Sequence, residues 1–179
     1  IGQNSLKCNT TGCGNIAISQ TYGGTLDANT TGYDNVAFGG LGENTTGYGN
    51  FAAIGAMGKN TSGYYNVGIG TSALGWNTTG NNNVAVGWRA LLCNTTGTDN
   101  NAIGYAALYC NTTGNYNTAI GRGLYYNTTG CDNTAIGQSA LNANTTGCNN
   151  TAIGPSALNS NKVGSNNIAM GSGSLMSST

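Results

Sequence analysis

The chain has no histidine, a single proline, and only five basic and five acidic side chains among 179 residues. Without histidine it lacks the side chain that most often moves protons near neutral pH and most often binds transition metals. The formal charge is zero, so the long-range positive field that draws a protein to nucleic acid or to an anionic membrane is missing. No apolar run approaches the roughly 18 residues of a membrane-spanning helix. Three of the few carboxylates, Asp34, Asp99 and Asp132, fall at equivalent places in the sequence with no two in neighbouring repeats. No carboxylate pair is therefore set up for general acid–base work. These absences predict a protein that is not an enzyme and holds no metal or cofactor.

What the chain does have is a repeat, and a fixed internal period outranks other sequence signals. Asn-Thr-Thr-Gly, varied to Asn-Thr-Ser-Gly at Asn60 and to Asn-Lys-Val-Gly at Asn161, recurs with its first Asn at Asn9, Asn29, Asn44, Asn60, Asn77, Asn94, Asn111, Asn127, Asn144 and Asn161, settling to a period of 17. With that Asn as position one, position four is Gly in every unit. Position seven is always Asn: Asn15, Asn35, Asn50, Asn66, Asn83, Asn100, Asn117, Asn133, Asn150 and Asn167. A strand-like x-Ala-Ile-Gly follows, as in Thr118-Ala119-Ile120-Gly121, and then an Ala-Leu pair such as Ala107-Leu108. Residues 1–8 fit the end of a preceding unit, so the sequence reads as a segment of something longer or as a processed product. Residues 9–59 form irregular units and 60–179 regular ones, all within one repeat domain spanning 1–179.

A unit of this length is too short for a pair of helices and suits one coil of a solenoid. The fold class predicted is all-β: a parallel β-solenoid, or β-roll, of about ten coils. Alternation along a strand puts positions eight and ten on one face and position nine on the other. The expectation is that Ile103, Ile120, Ile136 and Ile153 fill the coil interior and meet Leu108 and its equivalents on a second short strand. The bare Ala/Gly face would then lie against another backbone or subunit. Gly four is expected to supply a positive φ after Asn-Thr-Thr, and the position-seven Asn column to form an inward amide ladder. Burying one Ile and one Leu contributes roughly 3–6 kcal/mol, against a backbone entropy cost of about 17–34 kcal/mol per coil. Stability must therefore come from stacked neighbours.

The six cysteines test that register. Cys93 and Cys110 share one column, Cys131 and Cys148 another, and Cys8 and Cys13 bracket one turn. A stacking distance of about 4.8 Å lies within disulfide range, so Cys8–Cys13, Cys93–Cys110 and Cys131–Cys148 are the predicted bridges. Pairing between subunits is the rival. Such bridges imply an oxidising, extracellular setting. Asn-Thr-Thr or Asn-Thr-Ser is also an N-glycosylation acceptor, predicted at Asn9, Asn29, Asn44, Asn60, Asn77, Asn94, Asn111, Asn127 and Asn144. The competing view is that Asn-Thr-Thr-Gly is only a good turn. It is favoured by Asn161, which keeps its place where the acceptor pattern is lost. Tyr33, Tyr48 and Tyr64 form one aromatic column. Trp88, Tyr105 and Arg122 form another, where the arginine is placed to sit over a ring.

The strand and its following alanine, Asn133-Thr134-Ala135-Ile136-Gly137-Gln138-Ser139-Ala140, resemble the head repeats of trimeric autotransporter adhesins and related repeats of phage and viral tail fibres. That resemblance implies a parallel β-roll, often trimeric, on a cell or virion surface, binding host matrix or glycans. Three functions are carried forward. The first is a structural segment of an extracellular, N-glycosylated filament that adds end to end. The second is an adhesin or tail-fibre head whose site breaks the repeat, between Gln20 and Lys59 with the inserted Tyr22-Gly23-Gly24. The third is an ice-binding solenoid.

Overall fold

The computed structural model describes residues 1–19 and 25–176. Each coil contributes one three-residue strand. These are β1 (Ile16–Ile18), β2 (Val36–Phe38), β3 (Phe51–Ala53), β4 (Val67–Ile69), β5 (Val84–Val86), β6 (Asn101–Ile103), β7 (Thr118–Ile120), β8 (Thr134–Ile136), β9 (Thr151–Ile153) and β10 (Ile168–Met170). They form one parallel sheet in chain order. Like pairs with like: Thr118 with Thr134, Ala119 with Ala135, Ile120 with Ile136. The chain is a β-solenoid of about nine turns with coils of about 17 residues. The irregular N-terminal coils keep the same register, Ile16 on Val36 and Val36 on Phe51. The inserted Tyr22-Gly23-Gly24 lies outside the described residues.

The two faces of the strand are the reverse of the sequence expectation. Position nine points inward: Ala37, Ala52, Ala85, Ala102, Ala119, Ala135 and Ala152 are fully buried. Positions eight and ten point outward, leaving Ile103 45% and Ile120 42% exposed. The reason is room. Each coil wraps a narrow interior whose opposite wall already carries a fully buried Leu, such as Leu91, Leu108 or Leu141. A β-branched side chain across from it would overfill the space, and overpacking costs as much as a cavity does. The exception supports this account. Gly68 is the one glycine at position nine, and a Cβ there would lie 3.0 Å from Met57 Cε. Met57 takes the place of Leu in the preceding coil and fills the volume that the glycine leaves.

The Ala-Leu segment is a ribbon of turns rather than a second strand. It still bonds to the next coil, with Leu91 N–H donating to Ala107 O at 3.0 Å and Cys93 N–H to Tyr109 O at 3.1 Å. The buried Leu or Met of these ribbons, from Leu26 to Leu158, sits at φ between +48° and +57°. That region costs an ordinary residue about 1–2 kcal/mol. Complete burial of the side chain, worth roughly 1.5–3 kcal/mol, and the bonded N–H offset it.

Position six also turns left-handed in coil after coil, as at Asp99 (φ 56°), Asp132 (56°) and Asn149 (57°). Gly four does not, contrary to expectation. It is glycine because a Cβ at Gly97 would run into Asn94 Oδ1 and lie 2.5 Å from Gly114 O.

Candidate functional site

The carbonyl of Gly four is the hub of each coil. Gly114 O accepts from Asn111 Nδ2 of its own coil at 2.9 Å and from Asn100 Nδ2 of the coil before at 2.8 Å. Two amide ladders run from these hubs along the rod. In the position-seven ladder, Asn83 Oδ1 accepts both Asn100 N–H at 3.0 Å and Asn100 Nδ2 at 3.1 Å. This is the inward ladder that the repeat implied. In the position-one ladder, Asn94 Nδ2 donates to Asn77 Oδ1 at 2.8 Å and to Gly97 O at 3.0 Å. Asn29, Asn44, Asn60, Asn77, Asn94, Asn111, Asn127 and Asn144 are fully buried, and only Asn9 at the first coil is partly open.

The nitrogen that would carry a glycan is therefore, in those eight residues, a core group with both protons engaged. A sugar there would remove two hydrogen bonds and demand space that the interior lacks. In this structure Asn-Thr-Thr-Gly serves as turn and core chemistry, the alternative to the expected sugar stripe. The middle threonine is also structural, since Thr95 Oγ1 donates to Thr112 O at 3.1 Å. Beyond the first coil it is the second threonine of each pair, such as Thr96, Thr113 and Thr129, that stands exposed.

Cys8, Cys13, Cys93, Cys110, Cys131 and Cys148 are all free thiols, so the three predicted bridges are not formed. The columns hold, since Cys93 N–H donates to Tyr109 O at 3.1 Å and Asn149 N–H to Cys131 O at 3.0 Å, one coil on in each case. Among the stacked thiols, the sulfurs of Cys131 and Cys148 are engaged elsewhere, as acceptors of backbone N–H groups. Cys148 Sγ instead accepts Cys131 N–H at 3.2 Å, and Cys131 Sγ accepts Asn115 N–H at 3.4 Å. They do the work that Asn115 Oδ1 does for Thr98 N–H at 2.8 Å. Burial pushes the Cys93 thiol up, and burial together with the neighbouring Cys93 pushes up Cys110.

The aromatic columns are stacked. Tyr33 and Tyr48 lie 4.7 Å apart at 7°, Tyr48 and Tyr64 4.8 Å apart at 4°, and Trp88 and Tyr105 5.0 Å apart at 18°. Partial desolvation, then the neighbouring Tyr33, Tyr64 and Tyr65, raise the Tyr48 phenol. Arg122 is not over Tyr105 but over Tyr125, at 4.8 Å, and Arg89 lies 4.1 Å over Trp88. A third stack, Tyr109 on Tyr125 at 4.9 Å, was legible as a shared place two residues before the next Asn.

The exposed face of the sheet is a feature that the core does not use. Its two columns run Val67-Val84-Asn101-Thr118-Thr134-Thr151 and Ile69-Val86-Ile103-Ile120-Ile136-Ile153. Neither column carries a charge. Among the described residues no three metal-ligating side chains cluster, and no helix is long and apolar enough to cross a membrane. No protein-family model, curated protein or solved structure matches the chain.

Proposed function

We propose that the chain is a structural segment of a surface fibre, a rod whose exposed sheet face, with its Ile/Val stripe, is covered by further copies of itself in a homotrimer. The observation that carries this reading is the outward turn of positions eight and ten. Nine strand-to-strand steps of about 4.8 Å and a width of about 10 Å give a face on the order of 400 Å². Its apolar part is the unbroken stripe Ile69-Val86-Ile103-Ile120-Ile136-Ile153, beside a column that turns from Val to Asn and Thr after Val84, and a contiguous exposed apolar stripe of this kind is often functional. A second copy has the same rise per coil, so its columns match this face along its whole length. Resemblance to surface-fibre repeats supports a place outside the cell or on a virion. The stacked coils supply the stiffness, and the ladders continue equally well into a following coil of the same chain or of another copy.

The test is mass in solution by light scattering across a concentration series, for the wild type and for Ile103→Lys with Ile136→Lys. These side chains point outward and lie two strands apart, so folding of the coil changes within about 0.5 kcal/mol. The expected result is a trimer that the double variant shifts at least tenfold toward monomer. A wild type that stays monomeric at high concentration removes the reading.

A second reading has its own observation. Thr118, Thr134 and Thr151 alternate with Ile120, Ile136 and Ile153 on one flat, evenly spaced, uncharged surface. Such a surface suits ordered water. A monomer that shows thermal hysteresis, lost in the same double variant, would establish ice binding in place of the fibre.

A further inference from the structure

One stretch of the rod departs from its own pattern on the surface, on the side of the Ala-Leu ribbon. Two residues before each position-one Asn, the regular coils carry Leu92, Tyr109, Tyr125, Asn142 and Asn159. Three successive coils carry Gly42, Gly58 and Gly75 there instead. The missing side chains leave a trough, with a cavity of about 270 Å³ bounded by Glu43, Gly55, Gly58, Lys59, Ser72, Gly75, Trp76 and Leu92. Leu92 closes one end.

Glu43, Lys59 and Trp76 stand in one column along the side. Glu43 N–H donates to Gly58 O at 3.0 Å and Lys59 N–H to Gly75 O at 3.1 Å, so each is one coil from the next. All three are exposed, Trp76 by 53%. The chain has ten charged residues and two tryptophans. That an acid, a base and a tryptophan meet at one trough sets it apart from the uniform surface around it.

We propose that this trough is a saccharide-binding site that takes one or two pyranose rings of a glycan. The ligand class follows from the walls. The Trp76 ring offers an exposed apolar platform for the C–H face of a sugar. Glu43 accepts hydrogen bonds from paired hydroxyls, Lys59 donates to ring or hydroxyl oxygens, and Ser72 does either. A shallow site with few polar groups beside an aromatic surface fixes orientation without full enclosure. This site is distinct from the outer sheet face and does not depend on the fibre assignment.

The experiment is a panel of immobilised neutral, amino-sugar and uronic-acid oligosaccharides, followed by titration of any binder against tryptophan fluorescence. Three variants accompany the wild type. Trp76→Ala removes the platform. Gly58→Tyr fills the trough as Tyr109 fills its own coil; a Cβ at Gly58 meets nothing nearer than Gly75 O at 3.7 Å, so the fold tolerates it. Trp88→Ala is the control. The expected result is at least one saccharide whose affinity falls tenfold or more in Trp76→Ala and in Gly58→Tyr, with unchanged melting of Gly58→Tyr and unchanged binding in Trp88→Ala. An empty panel overturns the proposal. So does binding that survives both trough variants within twofold.

Discussion

Asn100 shows how a polar side chain becomes core material. Its Oδ1 accepts both the backbone and the side-chain N–H of Asn117, at 3.0 and 3.1 Å, while its own amide holds Gly114 O. Asn100→Ala therefore strands two buried donors on Asn117, each worth about 1–3 kcal/mol. The expected loss is about 2–6 kcal/mol in denaturant unfolding. Thr96→Ala, on the exposed threonine, should change stability by less than about 0.5 kcal/mol. The same variant destroys the acceptor pattern at Asn94, and intact mass should be that of the bare polypeptide before and after it. Both Asn columns were legible in the sequence. The role of the first was not, because an Asn-Thr-Thr in an exposed turn and one whose amide faces inward read identically. Thr96 rather than Asn94 proves to be the exposed member.

The coil is the unit in which side-chain volumes are matched. Gly68 and Met57 together replace the usual Ala and Leu, so their effects should be coupled. Gly68→Ala alone places a Cβ 3.0 Å from both Met57 Cε and Ala56 Cβ, and overpacking of this kind costs about 1–3 kcal/mol. Adding Met57→Leu restores the regular pair. A double-mutant cycle by thermal unfolding should show the second change recovering most of the first, with a coupling of at least about 0.5 kcal/mol. Additive losses would mean that the two residues do not share the space. The alternation of the strand was visible in the sequence, but not its sense. Apolar periodicity states which residues share a face and leaves open which face is inside.

Over the whole molecule, stability is the sum of coil-to-coil interfaces, and there are few charges for pH to act on. Among the described residues the shifted groups are the thiols of Cys93 and Cys110 and the phenols of Tyr48 and Tyr125, all raised. A raised acid binds its proton more tightly in the folded rod than in the unfolded chain. Its contribution is therefore complete below the unfolded pKa and is lost as pH rises through the folded one. Stability should fall in the alkaline range, first and chiefly through the half-buried thiols, and little through the phenols, whose shifts solvent screens. Cys93→Ser with Cys110→Ser should remove the first of these losses in melts recorded against pH. A decline of the same size in the double variant would assign it elsewhere.

The sequence by itself determined the period, the parallel solenoid, the columns and the contents of each column. A repeat of fixed length with like residues at like places can satisfy its backbone only by stacking in register. Only the tertiary structure decided which columns lie inside. That choice rests on the narrow cross-section of the coil, which admits one leucine and two alanines, holds two asparagine amides around a glycine carbonyl, and turns the isoleucines outward. It also decided that the paired cysteines stand unbridged, and that three glycines in successive coils open a trough beside Trp76. Those outcomes depend on distances between coils and on side-chain directions, which period and composition do not carry.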